Sequence, residues 1–578
     1  MKLGRTLLCC VALSCGPPPS EQPPSGTARE TSSGGWFRDV TAASGIDFVH
    51  QDGRSGQRYY VETSASGGGW LDFDGDGDLD LYLVNGAATP GSELAAAPQN
   101  RLYEQRDGRF VDVTDAAGVG DTGYGMGLCV GDVDADGHVD FLVTNYGADR
   151  LFRNRGDGTF EEIAAAAGVA GDRWGTGCAF SDLDGDGDLD LYVVNYVAFS
   201  YARNPRCGDA ARDLASYCRP AVFDGQADYL YLNQGVRDGA VRFIEDGAAR
   251  GIAQGSEEKG YGVAISDLDG DGDQDLVVTN DETPNRLYVN DGTGRFVDRS
   301  LEAGLALDRD GRAESSMGLD LGDVDGDGRL DVLMTHYAFE TNTLYFNRGD
   351  LTFYDLTSEA GLAAPSYLRV GWGVGFFDMD NDGDLDAAVA NGHLLDNVEL
   401  FESAVSYEQP NQLFENDGTG VFRDVSQRAG PALKSAGVSR GLAVGDWNDD
   451  GRLDLLVTHT NAPPELLENT SDSGFHWLGL RLHGGPANPL AIGARVMLRD
   501  AERRLLGVRE VTSGGSFLSQ PDLRLHFGLG ALNGPVVAEI RWPDGCVQAQ
   551  AIEVVDRYLG VRYNRESCGH RDSPRPRS

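Results

Sequence analysis

Positive charge is what this chain has least of: 48 Lys and Arg stand against 91 Asp and Glu over 578 residues, a formal net charge of −43. With so few cations to replace condensed counterions, nucleic acid is excluded as a partner. Long apolar runs are missing too. Beyond the N-terminal leader no stretch reaches the ~18 consecutive apolar residues of a membrane-spanning helix. Long amphipathic helical patterns are scarce, and with 79 glycines spread along the chain the expectation turns to all-β. There is no H-E-x-x-H and no phosphate-binding glycine loop; turns such as Asn290-Asp291-Gly292-Thr293-Gly294 fit hairpins within a sheet. Nor is the acid gathered in one disordered block: 40% of the residues are hydrophobic, and the carboxylates come in periodic clusters.

The first residues read as an export signal, with Lys2 and Arg5 before a short apolar stretch from Leu7 to Leu13. Ala12-Leu13-Ser14-Cys15 resembles a bacterial lipobox, which implies lipidation of Cys15; Gly16 after it favours, by the same resemblance, the outer membrane. The expected location is the cell envelope, as an outer-membrane lipoprotein, or the secreted fraction, with the lipid as the sole membrane contact. Residues 1–15 form the signal and 16–35 a Pro/Ser/Gly/Thr tether. Cysteine usage agrees with export: beyond Cys9, Cys10 and Cys15, six remain, an even number for an oxidising compartment. Cys207 and Cys218 bracket a short loop and are the expected disulfide, worth roughly 3 kcal/mol by loop entropy. Cys546 with Cys568 is a further pairing. Cys129 and Cys178 fall in expected strands and read as small buried apolar side chains.

One nine-residue pattern recurs seven times: Asp at positions one, five and nine, Asp or Asn at three, and Gly at six. The candidate metal ligands are Asp72, Asp74, Asp76 and Asp80; Asp132, Asp134, Asp136 and Asp140; Asp182, Asp184, Asp186 and Asp190; Asp267, Asp269, Asp271 and Asp275; Asp323, Asp325, Asp327 and Asp331; Asp378, Asp380, Asp382 and Asp386; and Asp446, Asn448, Asp450 and Asp454. A hard cation such as Ca²⁺ takes six to eight oxygens at about 2.3–2.6 Å, and a tightly curled loop aims alternate side chains inward. The carbonyl of position seven is a further donor, and Gly at six permits the turn. Position twelve (Leu83, Val143) lies in a strand, so these are not EF-hands. Mg²⁺, which keeps its waters in a rigid octahedron, suits them less. Without a cation, four or five carboxylates within nine residues repel one another. Up to seven bound Ca²⁺ are expected. Position eight is apolar in every copy except one, which has Gln274.

Each loop is followed by a short apolar strand, such as Leu81–Val84 or Leu455–Thr458, and preceded by a strand with glycine at one register: Gly67, Gly127, Gly177, Gly262, Gly318, Gly373 and Gly441. Glycine at one register in all seven copies predicts strands crowding around an axis. A Leu-Tyr/Phe strand and a strand centred on Phe complete the unit, and four strands without a helix make a propeller blade. The Phe strands lie at Phe37, Phe110, Phe160, Phe243, Phe296, Phe353 and Phe422, so one precedes the first loop and none follows the last. Phe37–Thr41 is thus expected to complete the final blade and close the ring. The predicted fold is an all-β, seven-bladed β-propeller over residues 36–475, then a small antiparallel β-domain over 476–563 and a disordered tail over 564–578.

These loops resemble the FG-GAP/VCBS repeats of integrin α-chains and of cartilage acidic protein-like proteins. Trp477-Leu478-Gly479-Leu480-Arg481-Leu482, Ala491-Ile492-Gly493-Ala494-Arg495-Val496, Leu518 to Gly530 and Ile540-Arg541-Trp542-Pro543-Asp544-Gly545 resemble the ASPIC/UnbV domain. The resemblance implies an extracytoplasmic calcium-binding protein whose partners bind the face opposite the calcium loops, and it supplies no substrate. On that face the second strands end in Asn85, Asn145, Asn195, Asn280, His336, Asn391 and His459. As caps these residues would bind backbone. As a ligand face, His50, Glu62, Tyr261, His336, Trp372, His393, Arg440 and His459 would line the channel mouth. The chain therefore reads as an interaction or adhesion module for a protein or glycan, not an enzyme. The alternative is an envelope enzyme, or enzyme accessory, with its site at that mouth.

Overall fold

Burial falls off from the axis outwards, and the residue pattern follows it. In the computed structural model, which describes residues 35–255 and 257–569, the two inner strands of blade 2, Gly125–Gly131 and Asp140–Asn145, are buried at every residue. Such strands read as continuous apolar runs because both faces are covered. The outer strand of blade 4, Phe296–Asp298, buries only its Phe.

Seven antiparallel four-stranded units succeed one another along the chain. Blade 1 is Gly68–Leu71, Asp80–Leu83, Arg101–Arg106 and Arg109–Asp112. The last blade comprises Ser439–Gly445, Asp454–His459 and Glu465–Asn469, completed by Phe37–Asp39 with Phe37 opposite Asn469. The N-terminal strand thus closes the ring and removes a free edge. The glycine register has its physical reason here. A Cβ on Gly127 would stand 2.7 Å from the Thr176 carbonyl of the next blade, and one on Gly318 2.1 Å from that of Trp372.

Four differences from the sequence reading stand out. A one-turn helix follows several outer strands, as at Thr114–Ala117, where Asp112 accepts the Thr114 N–H and Gly118 caps the end at φ 75°. Cys129 is bonded to Cys178, joining the innermost strands of blades 2 and 3, alongside Cys207–Cys218 and Cys546–Cys568. The chain from Asn564 is ordered as far as Gly569, whose N–H donates to Val547. The C-terminal β-domain is not wholly antiparallel either. It has a four-stranded antiparallel sheet and a three-stranded one in which His476–His483 runs parallel to Tyr558–Arg562.

That domain also enters the propeller. Between its strands Leu505–Glu510 and Leu525–Gly530, the segment 513–520 runs into the ring. Ser519 and Gln520 pair in parallel with Gly68 and Gly69, Ser513 Oγ donates to Val130, and the Leu319 N–H donates to Ser516. Phe517, fully buried, packs on Trp372 and Tyr261 at 4.8 and 5.5 Å between ring centres. From the other side, residues 60–66 lie buried over the axis. The two longest insertions meet above them, Arg212 donating to Leu400 and Asn397 to Ala215.

Candidate functional site

The Asp loops lie on the face that carries the C-terminal domain. Their curl comes from backbone that glycine supplies most easily: Gly77 at position six has φ 103°, while position four is left-handed even where the residue is Ala135, at φ 55°. The chain thereby gathers its acids. Asp72, Asp74 and Asp80 each bring a carboxylate oxygen within 4.8 Å of the others, and so do Asp132, Asp134 and Asp136; Asp182, Asp184 and Asp190; Asp267, Asp269 and Asp271; and Asp323, Asp325 and Asp331.

These residues fit a cation on two counts. In four loops the position-three carboxylate, of Asp134, Asp184, Asp325 or Asp380, has a buried Oδ1 with no hydrogen-bond partner. Buried acceptors are rarely left so, because each costs about 1–3 kcal/mol. Burial also pushes Asp132 and Asp378 up to about 7, and Asp80, Asp275 and Asp331 up to about 8, with like charges in the same loop adding to it. A bound cation supplies the missing partner and favours the ionised form.

Position nine has a second duty that its spacing does not announce. In all seven loops this carboxylate accepts the N–H of position two and an N–H of the third strand; Asp190 takes those of Leu183 (2.9 Å) and Asn233 (2.8 Å). Asn154, Asn233, Asn290, Asn347, Asn416 and Asn469 on those third strands then donate from Nδ2 to a position-two carbonyl of the preceding blade. Six blade joints are tied this way. The signal available in sequence was an Asn recurring in six third strands.

Side chains of the C-terminal domain bind three of the loops, and the Gly530 N–H donates to the Asn381 carbonyl of a fourth. Arg481 donates to Asp72 (3.0 Å) and to the Gly77 carbonyl (2.5 Å), and Arg541 to Asp267 (2.7 Å). Arg524 donates to the Asp446 carbonyl (2.5 Å), and the Tyr558 hydroxyl to the Asp446 carboxylate (2.9 Å). Nothing in the spacing of these residues marked them.

The candidate ligand face is interior. His50, Glu62, Tyr261, His336, Trp372, His393, Arg440 and His459 are all buried. Tyr261, Trp372 and Arg440 meet at the axis, with the guanidinium 4.2 Å above the indole and donating to the Thr63 carbonyl. Glu62 accepts from the Tyr217 hydroxyl (2.7 Å). The histidines belong to separate hydrogen-bonded sets: His50 accepts from Asn461 N–H, His393 faces Leu395 and Tyr337, His336 faces Ser316 and His459 faces Ser439. Burial pushes His50 and His336 down to about 4 and His393 to about 3. Asn195, Asn280 and Asn391 cap backbone, donating to Ala227, Pro284 and Pro410. One string, Gly437-Val438-Ser439-Arg440-Gly441, has the spacing of a hydrolase nucleophile turn. Ser439 lies fully buried at the start of an innermost strand, so the strand-to-helix turn such a nucleophile needs is absent there.

Fold and loops together define a β-propeller built on repeated Asp loops that could hold metal ions. The chain belongs to the FG-GAP-like repeat family, which it matches at residues 72–143, 132–193, 267–334, 323–389 and 399–457, and it carries an ASPIC and UnbV domain at 484–567. Cartilage acidic protein 1 of Mus musculus is 26% identical over 382 residues, 63% of this chain and 53% of that protein. The Homo sapiens protein of that name is 27% identical over 300 residues, 50% and 41% of the two chains. The chain spans about half the length of the curated relatives it matches. Among solved structures, the BP39L lectin of Burkholderia pseudomallei aligns at a TM-score of 0.43 and 10% identity, over 71% of this chain and 97% of that one.

Proposed function

We propose that this chain is an exported, calcium-binding β-propeller that serves the cell envelope or extracellular space as an interaction or adhesion module for a protein or glycan. The observation that carries the calcium reading is the set of orphaned position-three oxygens inside carboxylate clusters. Positions one, three and five would hold Ca²⁺, with position nine joining them while it keeps its two backbone hydrogen bonds. The cation neutralises the loops, and this chain's own residues then present a rigid ring. A binding role is supported over catalysis by the burial of the groups that would serve as acid and base, His50, Glu62, His336, His393 and His459. Three disulfides support maturation in an oxidising compartment. Cys15 and the leader lie outside the described residues, and lipidation there remains part of the proposal. Calorimetric titration of chelator-treated protein should show uptake of several Ca²⁺ in preference to Mg²⁺. Immobilised protein should retain its envelope partner in calcium and release it in EGTA. Retention unchanged by EGTA would refute a calcium-dependent module. Cys15→Ala should shift the protein from the membrane to the soluble fraction, and unchanged fractionation would refute the anchor.

A further inference from the structure

Between the Asp loops of blades 3 and 4 and the C-terminal domain lies an open cleft of about 650 Å³, within the size range of small-molecule sites. One wall carries the residue that breaks the repeat. Where six loops place Leu or Val at position eight, the fourth has Gln274, and a Cβ on Gly493 of the C-terminal domain would lie 3.6 Å from its carboxamide. Gln274 is only 9% exposed, and its Oε1 has no hydrogen-bond partner. Trp542 lines the same cleft at 1% exposure, and its indole N–H also has no partner. The neighbouring polar group is already engaged: the Tyr563 hydroxyl donates to Asp544 at 2.6 Å.

A buried acceptor and a buried donor, each unpaired and lining one cleft, are complementary to a group that both donates and accepts. A hydroxyl does both, whereas a carboxylate only accepts. Charge points the same way. Beside the loop carboxylates of Asp182, Asp186 and Asp271, which calcium would engage, Asp273 and Asp544 line the cleft against Arg541 and Arg565, and Arg541 is already paired with Asp267. An anion entering there would meet carboxylate repulsion. Pro486, Pro543 and Tyr563 add apolar surface of the kind a sugar ring's C–H face covers. We propose that this cleft binds a neutral saccharide, its hydroxyls accepting from Trp542 Nε1 and donating to Gln274 Oε1. The proposal rests on reading the chain as an interaction module and assigns that role to the joint between propeller and C-terminal domain, not to the channel mouth.

The test is saturation-transfer NMR on the full mature chain in calcium, with maltose, cellobiose, lactose and N,N′-diacetylchitobiose as probes and inorganic phosphate as the anionic control. At least one disaccharide should bind and phosphate should not. Gln274→Leu, which installs the residue type of the other loops, should weaken that binding about tenfold, the value of one lost hydrogen bond to a buried group, and leave the melting temperature equal or higher. Trp542→Phe should weaken it similarly; if that variant fails to fold, Gln274→Leu carries the test alone. The proposal is overturned if no disaccharide binds, so that the cleft holds only water, if phosphate binds as well as any sugar, or if a folded Gln274→Leu binds as the parent does. Calcium-dependent capture of an envelope partner that survives Gln274→Leu would overturn this site and leave the module reading standing.

Discussion

Asn416→Ala and Asp380→Ala, two substitutions in blade 6, separate what ties the blades together from what the cations contribute. Asn416 is nearly fully buried and serves four backbone groups: Nδ2 donates to Val324 (2.9 Å) in blade 5 and to Leu385 (3.0 Å), while Oδ1 accepts from Gly418 (3.2 Å) and Gly420 (3.1 Å). At a net ~0.5–1.5 kcal/mol each, losing four costs about 2–6 kcal/mol. A cooperative unit of roughly 500 residues melts with about 1 kcal/mol per kelvin of entropy, so the melting temperature should fall about 2–6 °C. No charge changes, so the drop should be the same in calcium and in EGTA. Asp380 differs. Its Oδ1 is buried without a partner, and burial with Asp382 nearby raises its carboxyl to about 6. Asp380→Ala should therefore lower the melting temperature in calcium, by one site's worth, and leave it equal or slightly higher in EGTA, where a repelling charge has gone. Differential scanning calorimetry of both variants in both buffers decides it. An Asn416→Ala shift that disappears in EGTA, or an Asp380→Ala shift that is the same in both, would refute this division of roles.

Chelation itself should destabilise the parent protein. At ~10⁻⁴–10⁻³ M affinity and about 1 mM calcium, each site adds ~0.4–1.4 kcal/mol, so seven give about 3–10 kcal/mol and a similar number of degrees, with Mg²⁺ restoring less; equal melting curves in EGTA and calcium would count against the cages. Phe517→Ala should cost about 3–5 kcal/mol, as a fully buried aromatic does, and should expose the C-terminal domain to limited proteolysis before the propeller. The pH dependence follows from His393, held at about 3 against an ordinary value near 6.5 because burial disfavours its charged form. Between those values the unfolded chain binds a proton that the folded chain does not, so stability contributed by the neutral ring is present above about 6.5 and is lost as pH falls toward about 3. His393→Gln should accordingly lose less stability than the parent between about pH 7 and about pH 5, read as the difference of the two melting profiles.

Part of this molecule is written locally. The nine-residue loops could be found because alternate Asp side chains on one tight turn converge, and every carboxylate of a cluster lies within that turn. Closure by Phe37 could be found by counting, since seven loops and seven Phe strands out of phase leave one strand for the last blade, where Phe37 faces Asn469. The tie from Asn416 to Val324 crosses 92 residues and the pairing of Cys129 with Cys178 crosses 49. Both become adjacent only because consecutive blades stack, and neither partner's own neighbourhood mentions the other.

By itself the sequence determined the all-β class, the seven repeats, the Asp clusters and the ring's closure, because period, glycine register and carboxylate spacing act over a few residues. Tertiary structure alone decided that the channel is filled from both sides, by residues 60–66 and 513–520, and that His50, His336 and His393 are interior. It alone decided that Arg481, Arg524 and Arg541 reach the Asp loops and that Gln274 packs against Gly493. The physical reason is separation along the chain. Residues hundreds of positions apart meet only after the ring has closed and the C-terminal domain has docked, and which of them then lack a partner is a property of that packing.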